Sequence, residues 1–519
     1  MKRNVALITA FTILSFFSWM VADGYAQSSP KRGGMVTVGL NTDVTAVDPH
    51  VTTAFVTSTV LNHVFERLIG HGENMELVPV LAERWDISPD YKTITFYLRK
   101  GKLFHNGREM VADDVKYSIE RIMDPKTGNP RRTSLKNIDQ IEVVDKYTVR
   151  IHMKKRDATI LYALAYISPI MAVVPREEVE KQGGVMKHPV GTGPFKFVEW
   201  KPDRYVLLER FDQYKPQPGP INGFAGERIA YLDKIKFVPV VEESVATMAL
   251  LNKEVDLLQY LPFKNVEKFR KDYVKRGIVV DEKPGQSWYE IYFGCKNPIT
   301  SNVKFRQACA YAIDREVVSQ AATRGYAAVN SSFVAVQNQY YTPLHKKWYK
   351  KDLAKAKKLL RESGYKGEEI EILTTKKYAM MYSIAVAVQS ELAAAGIKAK
   401  LNVLEWANLI KTLYDGNYQI ISFGHSARPD PVLAYIYLKY NGFDDNYPRM
   451  KEIRAEASKT LDFETRKKLF EEAHNLVYEG VPAIVFFNYN YFHAYWNYIK
   501  GYKMWGTNFI RLWGVWLEK

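Results

Sequence analysis

The chain has 519 residues, of which 47% are hydrophobic and 25% charged, and its formal net charge is +16. This hydrophobic content is ordinary for a globular protein, and the length is too great for one hydrophobic core, so we expect two or three domains. The basic excess leaves room for an anionic ligand but predicts no nucleic-acid partner, because Lys and Arg are scattered and no run resembles a nucleic-acid-binding module.

The first segment has the three parts of a secretory signal peptide. Lys2 and Arg3 precede the apolar run 5–20, and small residues follow up to Ala26. We predict that residues 1–26 are a signal peptide, with cleavage after Ala26 left open; the alternative is an uncleaved membrane anchor. No cysteine lies near Ala26, so no lipid anchor is expected, and no later apolar run has the length of a membrane helix. A soluble protein of the periplasm is the expectation.

Two segments alternate between apolar and polar side chains, which predicts strands. They are residues 93–98 and 147–153. Helical patterns also occur, and the elements form neither a regular βα alternation nor an all-strand pattern. We therefore expect an α/β or α+β multidomain protein.

Two later segments have the periodicity of amphipathic helices. Residues 352–363 predict a helix with Asp352 as N-cap and Gly364 as its stop. Residues 463–479 predict another, stopped by Gly480.

The chain has two cysteines, Cys295 and Cys309. A chain of this size buries enough apolar surface without disulfides. The two thiols either form one bridge or lie unpaired in the core, and the sequence leaves both possibilities open.

Several motifs, in order along the chain, carry a resemblance to a known family. They are Asp-Pro-His at 48–50, Leu-Ala-Glu-Arg-Trp at 81–85, Ser-Pro-Asp-Tyr-Lys-Thr at 88–93, and segments 95–101, 104–107, 112–118, 191–195 and 303–315. Together they resemble the periplasmic extracellular solute-binding proteins of family 5, which serve peptide, nickel and opine importers. The match covers nearly all of the chain after residue 33.

The resemblance implies an α/β, two-lobed periplasmic-binding-protein fold with an extra domain and mixed sheets flanked by helices. The implied domains are domain I (33–66, 192–290 and 483–519), the inserted domain II (67–191) and domain III (291–482). The lobes would be joined near residues 289–295 and 482–488, where 289–293 and 483–487 are short runs of β-forming residues.

The same resemblance implies the substrate-binding component of an ABC importer, with permease subunits at the inner membrane as partners and no nucleic acid. A monomer that uses no cofactor is expected. The ligand would be a small molecule, peptide-like, opine-like or an oligosaccharide, captured when the lobes close.

Within the most characteristic segment, polar residues have structural explanations. Gly101 and Gly107 suit turns, and Asp113 is the expected N-cap of a helix that begins at Asp114. No chemistry is expected of this segment.

Candidate ligand-binding residues of domain I lie in the loop 41–45 and beside the first lobe connection. Asp43 is either a ligand acceptor or the residue that holds an Asx-turn, and Thr45 belongs to the same loop. Trp288 and Tyr289 either stack on the ligand or are core aromatics.

Candidates of domain III lie mainly in the segment 422–431. The resemblance implies an aspartate here that pairs with a peptide's α-amino group, but that position is Ala427 in this chain. Arg428 follows it and either binds a ligand carboxylate or phosphate, or pairs with Asp430 to shape the loop. This departure favours an anionic, amine-blocked or sugar-like ligand over a standard peptide.

The remaining candidate ligand-binding residues are Trp406, His425 and Asp430. Trp406 either faces the cleft or packs a helix on a sheet. His425 precedes Ser426 in a Gly-His-Ser sequence like a nucleophile elbow, but Arg428 replaces the required glycine, so no catalytic residue is predicted.

Two other functions stay open at this stage. One is a carrier of chelated metal, although the ten histidines are dispersed and no metal-ligating residue is predicted. The other is a binding protein coupled to a chemoreceptor rather than to an importer.

Overall fold

The computed structural model describes residues 29–518, so the predicted signal peptide at residues 1–26 lies outside the described residues. Its strands are β1 (Met35–Leu40), β2 (Ile69–His71), β3 (Leu77–Pro79), β4 (Ala82–Ile87), β5 (Thr93–Leu98), β6 (Ile138–Asp145), β7 (Thr148–Met153), β8 (Phe195–Lys201), β9 (Tyr205–Arg210), β10 (Lys234–Pro239), β11 (Leu257–Leu258), β12 (Ile278–Phe293), β13 (Ala327–Val329), β14 (Ile370–Thr374), β15 (Ala399–Val403), β16 (Ile420–His425), β17 (Ala483–Trp496), β18 (Ile499–Lys500) and β19 (Trp516–Leu517). Its α-helices are α1 (Phe55–Leu61), α2 (Ala112–Met123), α3 (Thr159–Leu164), α4 (Arg176–Lys181), α5 (Glu243–Leu251), α6 (Phe263–Lys268), α7 (Val303–Ala312), α8 (Arg315–Thr323), α9 (Leu353–Glu362), α10 (Ala379–Ala394), α11 (Trp406–Asp415), α12 (Val432–Tyr435), α13 (Phe443–Asn446), α14 (Pro448–Ala457) and α15 (Phe463–Gly480). Between residues 29 and 518, no helix combines the length and the apolar character needed to cross a membrane.

The largest sheet has eleven strands and runs through both halves of the molecule. Its order is β15-β14-β16-β12-β17-β11-β1-β10-β9-β8, and β13 pairs with β17 beside this path. Strands β12 and β17 are the longest and pair antiparallel along nearly their whole lengths. We call the part built on β1 and β8–β11 the first lobe and the part built on β13–β16 the second lobe. The mixed α/β fold with two lobes agrees with the prediction.

The ladder between β12 and β17 is interrupted near its middle. The register shifts between Pro284 and Trp288, where Pro284 has no N–H to donate. A Cβ at Gly285 would lie 2.2 Å from Cε2 of Tyr491, so glycine is required by this close approach. The next amide, that of Gln286, donates to the carbonyl of Gly506 (3.2 Å) instead of to β17. The two lobes are thus joined by strands whose pairing is weakest where the lobes meet.

The connecting strands are longer than the short runs predicted at 289–293 and 483–487. Those runs are the second-lobe ends of β12 and β17. The first-lobe part of β12 contains Asp281, Glu282 and Lys283, and such consecutive charges hide the strand from a hydrophobic pattern.

A separate four-stranded antiparallel sheet, β4-β5-β7-β6, lies in the segment between β3 and α3. Its strands β5 and β7 confirm the two predicted from alternation, and in both the apolar side chains are buried on one face. The boundaries proposed for domains I, II and III remain a prediction.

Helix α9 matches its prediction, and α15 also ends at the predicted glycine, although the left-handed residue comes one position later. Asp352 caps α9 by accepting a hydrogen bond from the amide of Lys355 (2.9 Å). Gly480, predicted to stop α15, is its last residue, and Val481 adopts the left-handed conformation with φ 45°. A Cβ at Gly480 would lie 2.4 Å from Cε2 of Phe443, so this glycine admits an aromatic ring rather than a turn.

The predicted N-cap of α2 is wrong by two positions. The helix begins at Ala112, and Val111 occupies the cap position in extended conformation. The carboxylate of Asp114 reaches back to the amide of Val111 (2.9 Å), so Asp114 supplies the cap interaction that was assigned to Asp113. The turns at Gly101 and Gly107 have φ of 70° and 87°, as their prediction requires.

The two cysteines are free and buried. Cys295 lies in a core cluster that includes Trp288 and Tyr435, whereas Cys309 lies in another that includes Phe305. Burial raises the pKa of the Cys295 thiol to about 11, which keeps it protonated and unreactive.

Candidate functional site

Three cavities lie between the two lobes and share lining residues. Two have volumes of about 430 Å³ each and share Ser287, Tyr289 and Tyr378. The third, of about 150 Å³, shares Phe55, Ser287 and Tyr491 with one of them. We call the three together the cleft, and its size is that of a pocket for a small solute.

The walls of the cleft come from both lobes and from the strands that join them. The first lobe contributes polar and aromatic side chains, namely Asn41, Phe55, Gln259, Tyr260, Asn508 and Phe509. The second lobe contributes Lys377, Tyr378, Trp406, Ile410, Tyr414, Phe423, His425, Ser426, Arg428 and Tyr437. Ser287, Tyr289, Tyr489 and Tyr491 lie on or beside the connecting strands. A molecule that extends across the three cavities would contact both lobes and the connection between them.

Aromatic rings form much of the second-lobe wall. Trp406, at the start of α11, stacks on Phe423 of β16 with ring centroids 5.4 Å apart. Tyr378 meets Trp406 edge-on at 4.7 Å. The two roles predicted for Trp406 as alternatives occur together, because the side chain packs its helix on the sheet and also lines the cleft. These faces offer apolar area for a ligand's carbon skeleton.

The charged groups that line the cleft are cationic. Arg428 and Lys377 are among its lining residues, and no Asp or Glu is found among the residues that line the three cavities. Arg428 is half-buried and donates from Nη1 to Oγ of Ser426 (2.7 Å) and from Nη2 to Oη of Tyr437 (3.1 Å). In residues 29–518 it forms no ion pair with a carboxylate, so its charge is fixed in place but not neutralised.

Asp430 does not pair with Arg428. It is fully buried and forms an ion pair with Arg466, whose Nη2 lies 2.5 Å from Oδ1. The same oxygen accepts from the amide of Val432 (3.0 Å). The predicted alternative in which Arg428 pairs with Asp430 is therefore wrong, and Asp430 lies behind the cleft rather than in its wall.

His425 lines the cleft but most of its ring is enclosed. Its ring packs between those of Trp288 and Tyr437, with centroid distances of 4.8 Å and 3.9 Å. Its Nε2 lies 3.1 Å from Oη of Tyr292 and 3.2 Å from a carboxyl oxygen of Glu290. Burial lowers the pKa of His425 and raises that of Glu290, so both groups are neutral.

The structure separates the two aromatic candidates on β12. Tyr289 lines two of the cavities and is half-buried, and burial raises its pKa. Trp288 points to the opposite face, is 1% exposed and belongs to the core of the second lobe. Strand alternation explains why neighbours in sequence have different surroundings.

The loop candidates Asp43 and Thr45 lie outside the three cavities. Both carboxylate oxygens of Asp43 accept from backbone amides, those of Val44 and Asp203, each at 2.7 Å. The amide of Thr45 donates to Oγ1 of Thr57 (3.2 Å). From this loop it is Asn41 that reaches the cleft.

Several lining residues were not singled out from the sequence. Lys377 and Tyr378 precede α10, and Tyr414 and Tyr437 lie on or after helices that show no unusual pattern. The sequence pointed to these lining residues only through its high number of tyrosines, 34, which does not show which tyrosines line the cleft. Their meeting depends on how the second lobe folds.

Other chemistries find little support in the geometry. Within residues 29–518 no hydrogen bond joins His425 to Ser426, so the Gly-His-Ser sequence has no nucleophile-base pair. Over the same residues, no three His, Cys, Asp or Glu side chains are grouped closely enough to hold a metal ion.

Comparison with known proteins agrees with this arrangement. The profile described as "Bacterial extracellular solute-binding proteins, family 5 Middle" matches residues 76–447. The glutathione-binding protein GsiB of Pectobacterium atrosepticum is 26% identical over 488 residues, which cover 90% of this chain and 91% of that protein.

Two solved structures are also similar over nearly their whole lengths. The ABC transporter-associated periplasmic binding protein DppA of Helicobacter pylori, in complex with the peptide STSA, has a TM-score of 0.72 and 26% identity, covering 94% of this chain and 99% of that one. The PBP AgaA of A. tumefacien R10, in complex with agropinic acid, has a TM-score of 0.71 and 26% identity with the same coverage.

Proposed function

The chain belongs to the bacterial extracellular solute-binding proteins of family 5, and from that premise we propose that it captures a small anionic solute, peptide-like or opine-like, in the cleft. Members of this family bind solutes for ABC importers and are not catalysts, so this chain is a substrate-binding protein and not an enzyme. The observation that carries the ligand class is the cationic lining of the three cavities, where Arg428 and Lys377 are the charged residues. Glu243 lines a smaller cavity that adjoins them, and it is paired with Lys264.

The charge of Arg428 favours a ligand carboxylate. Its hydrogen bonds to Ser426 and Tyr437 hold the guanidinium at the wall, so little side-chain freedom is lost when an anion binds. A ligand carboxylate that forms a charge-assisted hydrogen bond with Arg428 would be its counter-ion, and no protein carboxylate would have to be displaced.

Ala427 argues against a requirement for a free amino group. Ala427 lines the smallest of the three cavities, at the position where the family resemblance implies an aspartate for a peptide's α-amino group. A methyl group offers no ion pair, and no other lining residue of the cleft is a carboxylate. Both the glutathione bound by GsiB and the agropinic acid bound by AgaA carry carboxylates, and they are the model ligands for this chain.

Closure of the lobes supplies the capture mechanism. The interrupted ladder at Pro284–Trp288 is where β12 and β17 bend with the fewest hydrogen bonds to break. A ligand favours the closed state only through contacts that it makes with both lobes at once, and the cleft offers Asn41 and Asn508 on one side and Trp406 and Arg428 on the other.

We also propose a periplasmic location with residues 1–26 as the exported leader, permease subunits at the inner membrane as partners, and a monomer as the working form. DppA supports this setting because it is an ABC transporter-associated periplasmic binding protein. The domain boundaries at 66, 191, 290 and 482 belong to the same proposal.

Paired ligands test the proposed chemistry. Calorimetric titration would compare a tetrapeptide that lacks acidic side chains with its N-acetylated and C-terminally amidated forms. We expect acetylation to change the affinity less than threefold and amidation to weaken it at least tenfold. Binding that requires the free amine and tolerates the amide would contradict the proposal, as would uptake of neutral oligosaccharides alone.

A further inference from the structure

A second cavity on the second lobe, separate from the cleft, has the composition of an anion site. It has a volume of about 490 Å³ and shares no lining residue with the three cavities of the cleft. We call it the α8 pocket because it lies at the start of α8, and its lining residues are Ile313, Asp314, Arg315, Glu316, Val329, Ser331, Tyr341, Lys346, Trp348, Tyr349, Lys350 and Lys351.

Arg315 is the central group of the α8 pocket. Its guanidinium lies over the ring of Trp348, 4.3 Å from the centroid, and its Nε donates to the carbonyl of Val485 (2.7 Å). Its Nη2 is buried and has no hydrogen-bond partner among residues 29–518. Buried guanidinium nitrogens are ordinarily hydrogen-bonded in folded proteins, so Nη2 is a donor available to an oxygen of a bound anion.

The nearby carboxylates do not neutralise Arg315. Asp314 is engaged in capping α8, where it accepts from the amides of Glu316 (2.9 Å) and Val317 (3.3 Å). No ion pair joins Arg315 to a carboxylate in the described part of the chain. Burial lowers the pKa of Arg315, and the negative charge of Asp314 opposes this shift without cancelling it.

Lysines add to the positive charge at the mouth of the pocket. Lys351 pairs with Glu391 (2.8 Å), but exposed Lys346 and Lys350 form no ion pair within residues 29–518. Apart from the paired Lys351, three cationic side chains therefore line the pocket, against the two carboxylates of Asp314 and Glu316.

We propose that the α8 pocket binds a small organic anion, with a carboxylate or phosphate at Arg315 and the lysines and a flat apolar body against Trp348 and Tyr341. The volume exceeds that of an inorganic ion, and the aromatic walls suit a ring or a chain of carbon atoms. This site does not depend on the proposed function of the cleft.

Binding of benzoate and phenyl phosphate, with neutral benzamide for comparison, tests the proposal. Isothermal titration of the full chain is expected to detect at least one of the two anions and not benzamide. The substitutions Arg315→Gln and Lys346→Gln with Lys350→Gln are expected to weaken that binding at least tenfold, whereas Lys357→Gln, on the exposed face of α9, leaves it unchanged.

The variant Arg428→Gln separates this site from the cleft. If it abolishes anion binding, the probe occupies the cleft and the proposal is overturned. The proposal also fails if neither anion binds at millimolar concentration, in which case an acidic segment of a partner protein becomes the better occupant. The double lysine variant decides the matter should Arg315→Gln fail to fold, because both lysines are exposed; wild-type affinity in it overturns the proposal.

Discussion

The ring of Tyr289 lies directly against the backbone of Gly424 on the neighbouring strand. The two residues are register partners in β12 and β16, and a Cβ on Gly424 would lie 2.4 Å from Cε1 of Tyr289. No side chain fits there while the ring keeps its place. The absence of a side chain at Gly424 thus sets where Tyr289 faces the cleft.

Replacing Gly424 with alanine is therefore expected to push Tyr289 out of position. We expect the free energy of unfolding to fall by about 1–3 kcal/mol through overpacking and the affinity for a cleft ligand to fall about tenfold. Urea unfolding and calorimetric titration measure the two effects. The double variant Gly424→Ala with Tyr289→Leu relieves the clash, so its loss of stability should be smaller than the sum of the two single losses; strict additivity would show that the two residues do not interact as described.

Removing the charge of Arg428 is expected to reduce ligand affinity with little change in folding. Arg428→Gln loses a charge-assisted bond, so we expect carboxylate ligands to bind about 10- to 100-fold more weakly. Its side chain is half-buried and belongs to no ion pair in the described residues, so the melting temperature should change little. Arg361→Gln on α9 is the matched control. Equal affinity of wild type and Arg428→Gln for a carboxylate ligand would show that Arg428 does not bind the ligand.

The buried pair Asp430–Arg466 predicts a large loss of stability when it is broken. Asp430→Asn leaves the Arg466 guanidinium uncompensated in the core, so we expect the free energy of unfolding to fall by about 3–5 kcal/mol. Asp86→Asn breaks the exposed pair with Arg84 and should cost less than about 1 kcal/mol. Chemical denaturation checks both. A similar loss in the two variants would mean that burial does not govern the strength of this pair.

Acid is expected to destabilise the fold through buried histidines. Burial lowers the pKa of seven of them to about 4, namely His50, His63, His71, His105, His345, His474 and His493. Between about pH 6.5 and 4 the unfolded chain binds protons that the native state does not, so stability present above pH 6.5 is lost as the pH falls through this range. Because these histidines act in the same direction, the free energy of unfolding is expected to fall steeply over this range.

Urea unfolding at pH 7.5, 7.0, 6.5, 6.0 and 5.5 measures this slope. A free energy of unfolding that is the same at pH 7.5 and 5.5 would contradict neutral burial of these rings. Replacing His493, which bonds Tyr502 and Asn508, with Gln should reduce the slope by about one proton's contribution.

Much of the local structure was predictable from the sequence because its causes are local. Asp352 caps α9 as expected, and the alternating residues of β5 and β7 bury one face. The cap of α2 was misplaced because Asp113 is a favourable cap by residue type, whereas the helix begins two residues earlier and Asp114 reaches back to the amide of Val111 at the cap position.

The candidate site was predictable only in part, for a different reason. Tyr289, Trp406 and Arg428 were found because they lie in strand-rich or unusual segments, whereas Lys377 and Tyr378 reach the cleft only through the packing of α10. Asp430 was predicted to bind ligand because its ion-pair partner, Arg466, is distant in sequence and could not be recognised there. Long-range pairing of this kind leaves no periodic trace.

The two free thiols have a consequence for how the protein must be produced. Cys295 and Cys309 are near each other in sequence but are packed in different hydrophobic clusters. In a chain that has not yet folded they meet easily, and an oxidant that joins them closes a small loop that the native packing does not contain. Refolding in a reducing buffer should therefore recover more native protein than refolding under oxidising conditions.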